Sequence, residues 1–121
     1  MAGLRALLFL LPGTKMATAA DVERLAMALD GTASVPHFDR TAYRVKRIYA
    51  TLGAGTLNLK LSPEEQDFKV MLAPDLYAPI PGGWGRQGRT TLNLPSAPLA
   101  ELEAALRMAW EHGRATTPRR R

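Results

Sequence analysis

The chain has 121 residues, a formal net charge of +5 and the proportion of hydrophobic residues expected of a globular protein. That length predicts one domain, which buries about two-thirds of the surface exposed by its unfolded chain. The absence of cysteine excludes disulfides, thiolate catalysis and cysteine-based zinc sites, and it agrees with a reducing, cytoplasmic compartment. The two histidines, His37 and His112, are far apart in the sequence, so we expect no metal site and no cofactor.

Both ends of the chain differ in composition from its middle. Residues 1–15 contain an apolar run over 6–11, which is shorter than a secretory signal and far shorter than a membrane span. Met16 follows at once, so we expect the domain to cover residues 16–113 and the preceding extension to add nothing to it. Residues 114–121 (RATTPRRR) contain four arginines and are expected to form a disordered basic tail.

The first helix is predicted over residues 19–29. Thr18 is placed to cap it, and Asp30-Gly31 ends it. Its apolar residues recur at the spacing of one helix face: Val22, Leu25, Ala26 and Leu29. Residues 34–39 (SVPHFD) then read as an edge strand, where Pro36 is tolerated because an edge can leave one donor unpaired.

Residues 42–61 (AYRVKRIYATLGAGTLNLKL) contain four cations and no acid, and their polar and apolar residues alternate as in a sheet with one buried face. The alternation changes parity between Val45 and Ile48, which predicts a turn or bulge at Lys46-Arg47. Gly53-Ala54-Gly55 predicts a second turn. The buried face would then include Ile48, Leu57 and Leu59. The outward face would carry Arg44, Lys46 or Arg47, Tyr49, Thr51, Asn58 and Lys60.

A second helix is predicted to begin at Ser62-Pro63-Glu64-Glu65 and to end before Pro74. Serine caps the helix, proline suits its first turn, and Glu65 completes a capping box. The acids Glu64, Glu65 and Asp67 stand where carboxylates complement the helix dipole, which indicates capping rather than a metal or catalytic cluster.

Residues 73–89 (APDLYAPIPGGWGRQGR) are rich in glycine and proline and predict a long loop, a kind of segment that is often functional. The loop has no phosphate-binding fingerprint. Two interpretations are open. In one, the glycines let the backbone approach a ligand, and the side chains that contact phosphates or stack on bases are Trp84, Arg86, Gln87 and Arg89. In the other, the loop is a turn that places Trp84 as a plug at the edge of the core.

The last strand is predicted over residues 90–94 and the last helix over 99–112, with Gly113 as its C-cap. The buried stripe of that helix would be Leu99, Leu102, Leu106, Ala109 and Trp110. No nucleophile stands beside a plausible base anywhere in the sequence, and no cofactor fingerprint occurs. We therefore expect a binding protein rather than an enzyme.

Four segments, taken in order, carry a family likeness: HFDRTAYRVKRIYATL (37–52), LNLKLSPEEQ (57–66), GWGRQGRTTLNL (83–94) and LRMAWEHG (106–113). Their order and spacing resemble the MmcQ/YjbR family over residues 17–113. The resemblance implies an α+β two-layer sandwich akin to frataxin, also described as a double wing, in which helices pack on one face of an antiparallel sheet of about five strands. It also implies DNA binding. One departure is Arg89, where family members often carry tryptophan. The acidic iron-binding ridge of frataxin has no counterpart in this sequence, so we expect no iron.

The sequence thus predicts a non-enzymatic, cytoplasmic DNA-binding protein of the MmcQ/YjbR type, with no membrane or metal partner. The contacts would come from the basic outer sheet face and the Gly-Trp loop: Arg44, Lys46, Arg47, Tyr49, Lys60, Trp84, Arg86 and Arg89. The alternative is a module that binds a protein or a small ligand through the same face or through the cleft of the 73–89 loop. Salt dependence separates the two, because phosphate binding weakens steeply as salt rises.

Overall fold

The structure is a computed structural model, and it describes residues 15–115. Six strands form one sheet: β1 (Ala33–His37), β2 (Arg40–Arg44), β3 (Ile48–Leu52), β4 (Thr56–Lys60), β5 (Tyr77–Pro79) and β6 (Arg89–Asn93). The helices are α1 (Ala19–Ala28), α2 (Pro63–Leu72), the short α3 (Gly83–Arg86) and α4 (Leu99–Arg114), with a 3₁₀ turn over Leu94–Ser96.

The strands lie in the order β1-β2-β3-β4-β6-β5, and every neighbouring pair is antiparallel. Helices pack on one side of this sheet, so the predicted α+β sandwich is confirmed. The sixth strand, β5, lies inside the segment that was predicted to be a loop. It pairs with β6 and forms one edge of the sheet, while β1 forms the other.

The core lies between the inward face of the central strands and helices α1 and α4. Leu57, Leu59 and Leu92 alternate inward along β4 and β6 and are buried. Helix α4 covers them with Leu102 and Leu106, as its apolar stripe predicted.

Two capping boxes begin the long helices that precede the core helix. Thr18 accepts from the backbone N–H of Asp21, whose carboxylate accepts from the Thr18 N–H in return. Ser62 and Glu65 make the same reciprocal pair at the start of α2. These pairs satisfy backbone donors that a helix N-terminus would otherwise leave without a partner. Both predicted helix starts are confirmed.

Three buried tyrosines tie the inward face of the sheet to the helical layer. The Tyr43 hydroxyl donates to Glu23 on α1 at 2.6 Å, and the Tyr77 hydroxyl donates to Glu101 on α4. Burial raises the pKa of both phenols, and the neighbouring carboxylate raises it further. Both hydroxyls therefore remain protonated donors, so each buried ring has a fixed partner on the opposite layer.

Tyr49 is the third of these tyrosines, and its position overturns part of the predicted pattern. Tyr43 pairs with Ala50 and the next residue, Arg44, pairs with Ile48, so Tyr49 is an extra residue in β3. Such a bulge reverses the alternation locally. Tyr49 is 1% exposed and its hydroxyl lies 2.9 Å from that of Thr32, whereas Ile48 is 37% exposed. The predictions that Tyr49 faces outward and that Ile48 lies in the core are therefore wrong.

Gly113 is not the predicted C-cap, because α4 continues to Arg114. It lies inside the helix, where an added Cβ would contact the Tyr49 side chain and the Arg47 carbonyl too closely. The Gly113 carbonyl also accepts from the Arg47 N–H at 3.0 Å. Glycine is needed here because the last turn of the helix lies directly against the bulged part of β3.

The N-terminal end of the described range joins the domain through a short bridge. The Lys15 carbonyl accepts from the Leu99 N–H at 2.7 Å, and Met16 pairs with Pro98. The rest of the predicted extension (1–14) and of the predicted tail (116–121) lies outside the described residues. Within residues 15–115, no helix has the length and apolar character that a membrane crossing demands.

Replacing Leu59 by alanine should lower the free energy of unfolding by about 2–5 kcal/mol, because it empties a fully buried site under α4. Ile48→Ala is the matched control in the neighbouring strand. It should lower the free energy of unfolding by less than about 1 kcal/mol, because the bulge turns Ile48 toward solvent. Urea denaturation of both variants measures the difference. Equal losses at the two sites would contradict the assigned faces.

Candidate nucleic-acid interface

The side of the sheet opposite the long helices forms a groove of about 530 Å³. Its floor consists of outward residues on the central strands: Ile48, Thr51, Asn58, Lys60 and Arg89. One rim is the β1–β2 hairpin, residues 37–40, and the other contains Ile80 and Trp84. Because neighbouring strands are about 4.8 Å apart, the distance from β1 to β6 across this surface is roughly 19 Å.

The second rim is shaped by close contacts of the chain with itself. An added Cβ at Gly85 would collide with the Ile80 carbonyl, and one at Gly88 would collide with the Leu61 carbonyl. These two glycines let α3 and its following turn lie directly on the end of the sheet. Trp84 projects from this support and is 60% exposed. The interpretation of Trp84 as a plug of the core is therefore wrong.

Gln66 fixes this rim from the helical side. Its buried amide nitrogen donates to the Gly85 carbonyl at 3.0 Å and to the Arg89 carbonyl at 2.9 Å. A residue of α2 thus holds both α3 and the first residue of β6 in place. Sequence reasoning missed this role, because a glutamine in the second turn of a well-capped helix carries no signal of what it reaches across the fold.

Lys60 and Arg89 lie directly opposite each other on β4 and β6. The Arg89 guanidinium also lies over the Trp84 ring, 4.8 Å from its centroid. Burial lowers the pKa of Lys60, and repulsion by Arg89 and then by Arg47 lowers it further. Burial also lowers the pKa of Arg89. Like charges opposite each other are unfavourable in a sheet, so this pair is a local cost to the fold.

Acidic side chains compensate cations elsewhere in the described range, but not on the groove floor. The ion pairs of residues 15–115 join groups of the helical layer: Lys15 and Arg24 with Asp21, Lys69 with Glu101 and Arg114 with Glu111. His112 is hydrogen-bonded to Glu65 in the same layer. Lys60, Arg89 and Arg47 make no ion pair within this range. Asp39, on the hairpin rim, is the acid that lines the groove. The groove floor therefore has a positive potential that no ion pair among residues 15–115 neutralises.

Four of the predicted site residues line the groove: Tyr49, Lys60, Trp84 and Arg89. Arg47 is near enough to repel the Lys60 charge. Arg44 and Lys46 are exposed at the β2–β3 turn, and Arg86 is exposed on α3, but these three do not line the groove. Tyr49 contributes to its lining, but its hydroxyl is directed to the helical layer.

The hairpin rim contains residues that sequence reasoning did not assign to the site. Phe38 is 95% exposed and lies beside His37, with ring centroids 5.0 Å apart. Arg40 donates from its guanidinium to the carbonyls of Thr51 and Thr56 at 2.8 and 3.0 Å, and it covers the β3–β4 turn. The pattern placed 34–39 in an edge strand, and nothing in that pattern showed that the hairpin tip faces the basic surface.

Residues 15–115 contain no cluster of side chains that could hold a metal ion. No group of three or more histidine, aspartate or glutamate side chains with the geometry to hold a metal occurs among residues 15–115. The chemistry available at the groove is instead that of cations, amide and hydroxyl groups, and exposed aromatic rings. Such groups bind anions and flat ring systems.

Comparisons with known proteins relate the chain to one fold. No family model matches it, and no curated protein does so. Among solved structures, the chain is similar to the crystal structure of Deinococcus radiodurans protein DR2400, which has a DUF419 domain. The sequences are 21% identical, the match covers 78% of this chain and 77% of that chain, and the TM-score is 0.68. At this identity the likeness shows the fold alone.

Replacing Lys60 by methionine should raise the free energy of unfolding by about 0.2–1 kcal/mol near neutral pH, because it removes a like-charge contact with Arg89 while keeping the length of the side chain. Lys60 binds its proton less tightly in the folded protein than in the unfolded chain. The parent protein therefore gains stability as pH rises from that lowered pKa to the ordinary value of 10.5, and the advantage of the variant shrinks.

Urea denaturation at about pH 7 and about pH 10 tests this, with Lys46→Met as a control of equal charge change at an exposed turn. The control should alter stability little at either pH. A loss of stability in Lys60→Met, or an advantage that stays constant with pH, would contradict the proposed repulsion.

Proposed function

We propose that this chain is a non-enzymatic, cytoplasmic nucleic-acid-binding protein of the MmcQ/YjbR type, with DNA as its target. The observation that carries the proposal is a group of three cations, Lys60 and Arg89 on the groove floor and Arg47 near Lys60. None of the three has an acidic partner within the described residues. Proteins release condensed counterions when their cations contact phosphates, and this release supplies much of the affinity for nucleic acid.

The electrostatics of Lys60 support this proposal. Burial and the charges of Arg89 and Arg47 destabilise the charged form of Lys60. A phosphate close to Lys60 would stabilise that charged form. The unfavourable contact that the free protein tolerates then becomes favourable binding energy. Charges that lower the stability of the free protein and are stabilised by a ligand are more typical of a binding site than of a structural role.

The fold comparison is consistent with this proposal but does not carry it. The DUF419 protein resembles this chain in architecture. Membership of the MmcQ/YjbR family rests on the four sequence segments, and the cytoplasmic location rests on the absence of cysteine. The cations and aromatic side chains at the groove support binding.

A triple variant should test the groove charges. In a chain ending at Ala115, which omits the terminal arginines, Arg47→Gln, Lys60→Gln and Arg89→Gln together should weaken DNA binding. They should also lower the slope of log K against log salt by about three units if each contacts one phosphate. Fluorescence anisotropy at a series of salt concentrations measures both effects.

The matched control changes the same charge on the opposite layer. Arg24→Gln, Arg107→Gln and Arg114→Gln remove three cations from α1 and α4 and should leave the salt slope nearly unchanged. Melting curves establish that both triple variants are folded. The proposal fails if the parent ending at Ala115 binds no DNA at low salt, or if the two triple variants bind equally well.

A second candidate function follows from the size of the groove. Its volume of about 530 Å³ lies within the range of roughly 300–1,000 Å³ that small-molecule sites occupy. Arg89 and Lys60 would then hold one anionic group of a small ligand, and Ile48 would contact its apolar part. Binding of such a ligand would depend weakly on salt, and oligonucleotide length would not affect it.

A further inference from the structure

We infer that the groove binds single-stranded nucleic acid, with bases stacked on Phe38 and Trp84 at its two rims and phosphates held by Lys60 and Arg89 between them. This inference rests on the proposed function and narrows it to one class of target. The proposed function needs only positive charge. The choice of a single strand comes from the aromatic rings and from the uncharged part of the floor.

Phe38 is the least expected residue of the groove. It occupies the turn between β1 and β2 with a φ of 59°, in the left-handed region that glycine adopts without strain. Its ring is almost fully exposed. A bulky apolar residue here therefore opposes both backbone preference and burial, and its edge contact with the His37 ring still leaves it 95% exposed. Strain of this kind is commonly retained where the side chain has a function.

Trp84 presents a second stacking surface on the opposite rim. The Arg89 guanidinium lies over its ring, and the indole is still more than half exposed. The same arginine can therefore contact a phosphate while it supports the indole on which the adjacent base stacks. Aromatic rings combined with a basic groove are the usual arrangement of proteins that bind single strands.

The floor between the rims carries groups that suit base edges. The side-chain oxygen Oδ1 of Asn58 accepts from the Thr91 hydroxyl at 2.8 Å, which fixes the side-chain amide. Its amide nitrogen has no partner within the described residues. The outward parity of Asn58 and Thr51 places both between the two rims. An amide donor in this position can bond to the edge of an exposed base. In a duplex the faces of the bases are already stacked and their Watson–Crick edges are already paired.

The test compares three ligands on the full chain: a short labelled oligothymidylate, the same backbone without bases, and a duplex of equal length. The unsubstituted protein should bind the oligothymidylate most tightly at a fixed salt concentration. Phe38→Gly and Trp84→Ala should each weaken its binding by about 5- to 150-fold, the range expected for the loss of one stacked base. Neither change should affect the base-free backbone.

Two further variants separate function from structure. Phe38→Gly should not lower the melting temperature, because glycine relieves the left-handed backbone and the ring is not buried. Phe68→Ala removes another exposed ring, on the helical side, and should leave binding unchanged. Trp84→Phe, which retains a stacking ring, should restore most of the affinity that Trp84→Ala loses.

The inference fails if the duplex binds as tightly as the oligothymidylate. It also fails if Phe38→Gly and Trp84→Ala bind the oligothymidylate as tightly as the unsubstituted chain does. In either case, a loss of affinity in the variant with Arg47, Lys60 and Arg89 neutralised would still uphold nucleic-acid binding through charge. If no ligand binds at low salt, the proposed function and this inference fail together.

Discussion

The arrangement of both faces of the sheet depends on one extra residue in β3. With Tyr49 bulged, its ring enters the helical layer, where its hydroxyl meets Thr32 and its Cβ lies against the last turn of α4. The Arg47 N–H bonds the Gly113 carbonyl at the same point, so the bulge also sets where the helix rests on the sheet. Without the bulge, Ile48 would face the core and Tyr49 would occupy the groove floor. Core packing and groove composition therefore follow from a single local irregularity.

Charge is divided between the two layers of the fold. Helix starts require acids at α1 and α2, and these acids also pair with cations of the helical layer. A sheet face offers no such dipole, and the groove floor carries no acid to compensate Lys60 and Arg89. Glu65 illustrates the difference. Burial raises the pKa of its carboxyl, but the Ser62 N–H and His112 outweigh burial and hold the pKa below its usual range. The helical layer thus stabilises its charges internally, whereas Lys60 and Arg89 have no acidic partner among residues 15–115.

Much of this fold follows from local sequence patterns, whereas the site depends on contacts between distant residues. The helix starts at Thr18 and Ser62 were predictable because capping is decided within four residues. The inward leucines of β4 were predictable because alternation is decided within one strand. The faces taken by Ile48 and Tyr49 were not predictable from alternation, because the bulge interrupts it in β3. The apolar Ile48 and the amphipathic Tyr49 each suit either face, so their residue types did not reveal the bulge. Strand β5 has only three residues, too few to show a period, and its pairing with β6 decides its structure. The position of Phe38 opposite Trp84 required the strand order, which no local pattern contains.

The two outer strands of the sheet share a property that bears on how this domain meets other chains. Pro36 interrupts the donors of β1, and Pro79 does the same in β5, which has only three residues. An incoming strand would find an unbroken row of backbone N–H groups on neither edge. Lateral extension of the sheet is therefore disfavoured at both ends, by the same residue type in two unrelated segments. The groove face of the sheet can therefore stay open to solvent without strands from other chains pairing with β1 or β5.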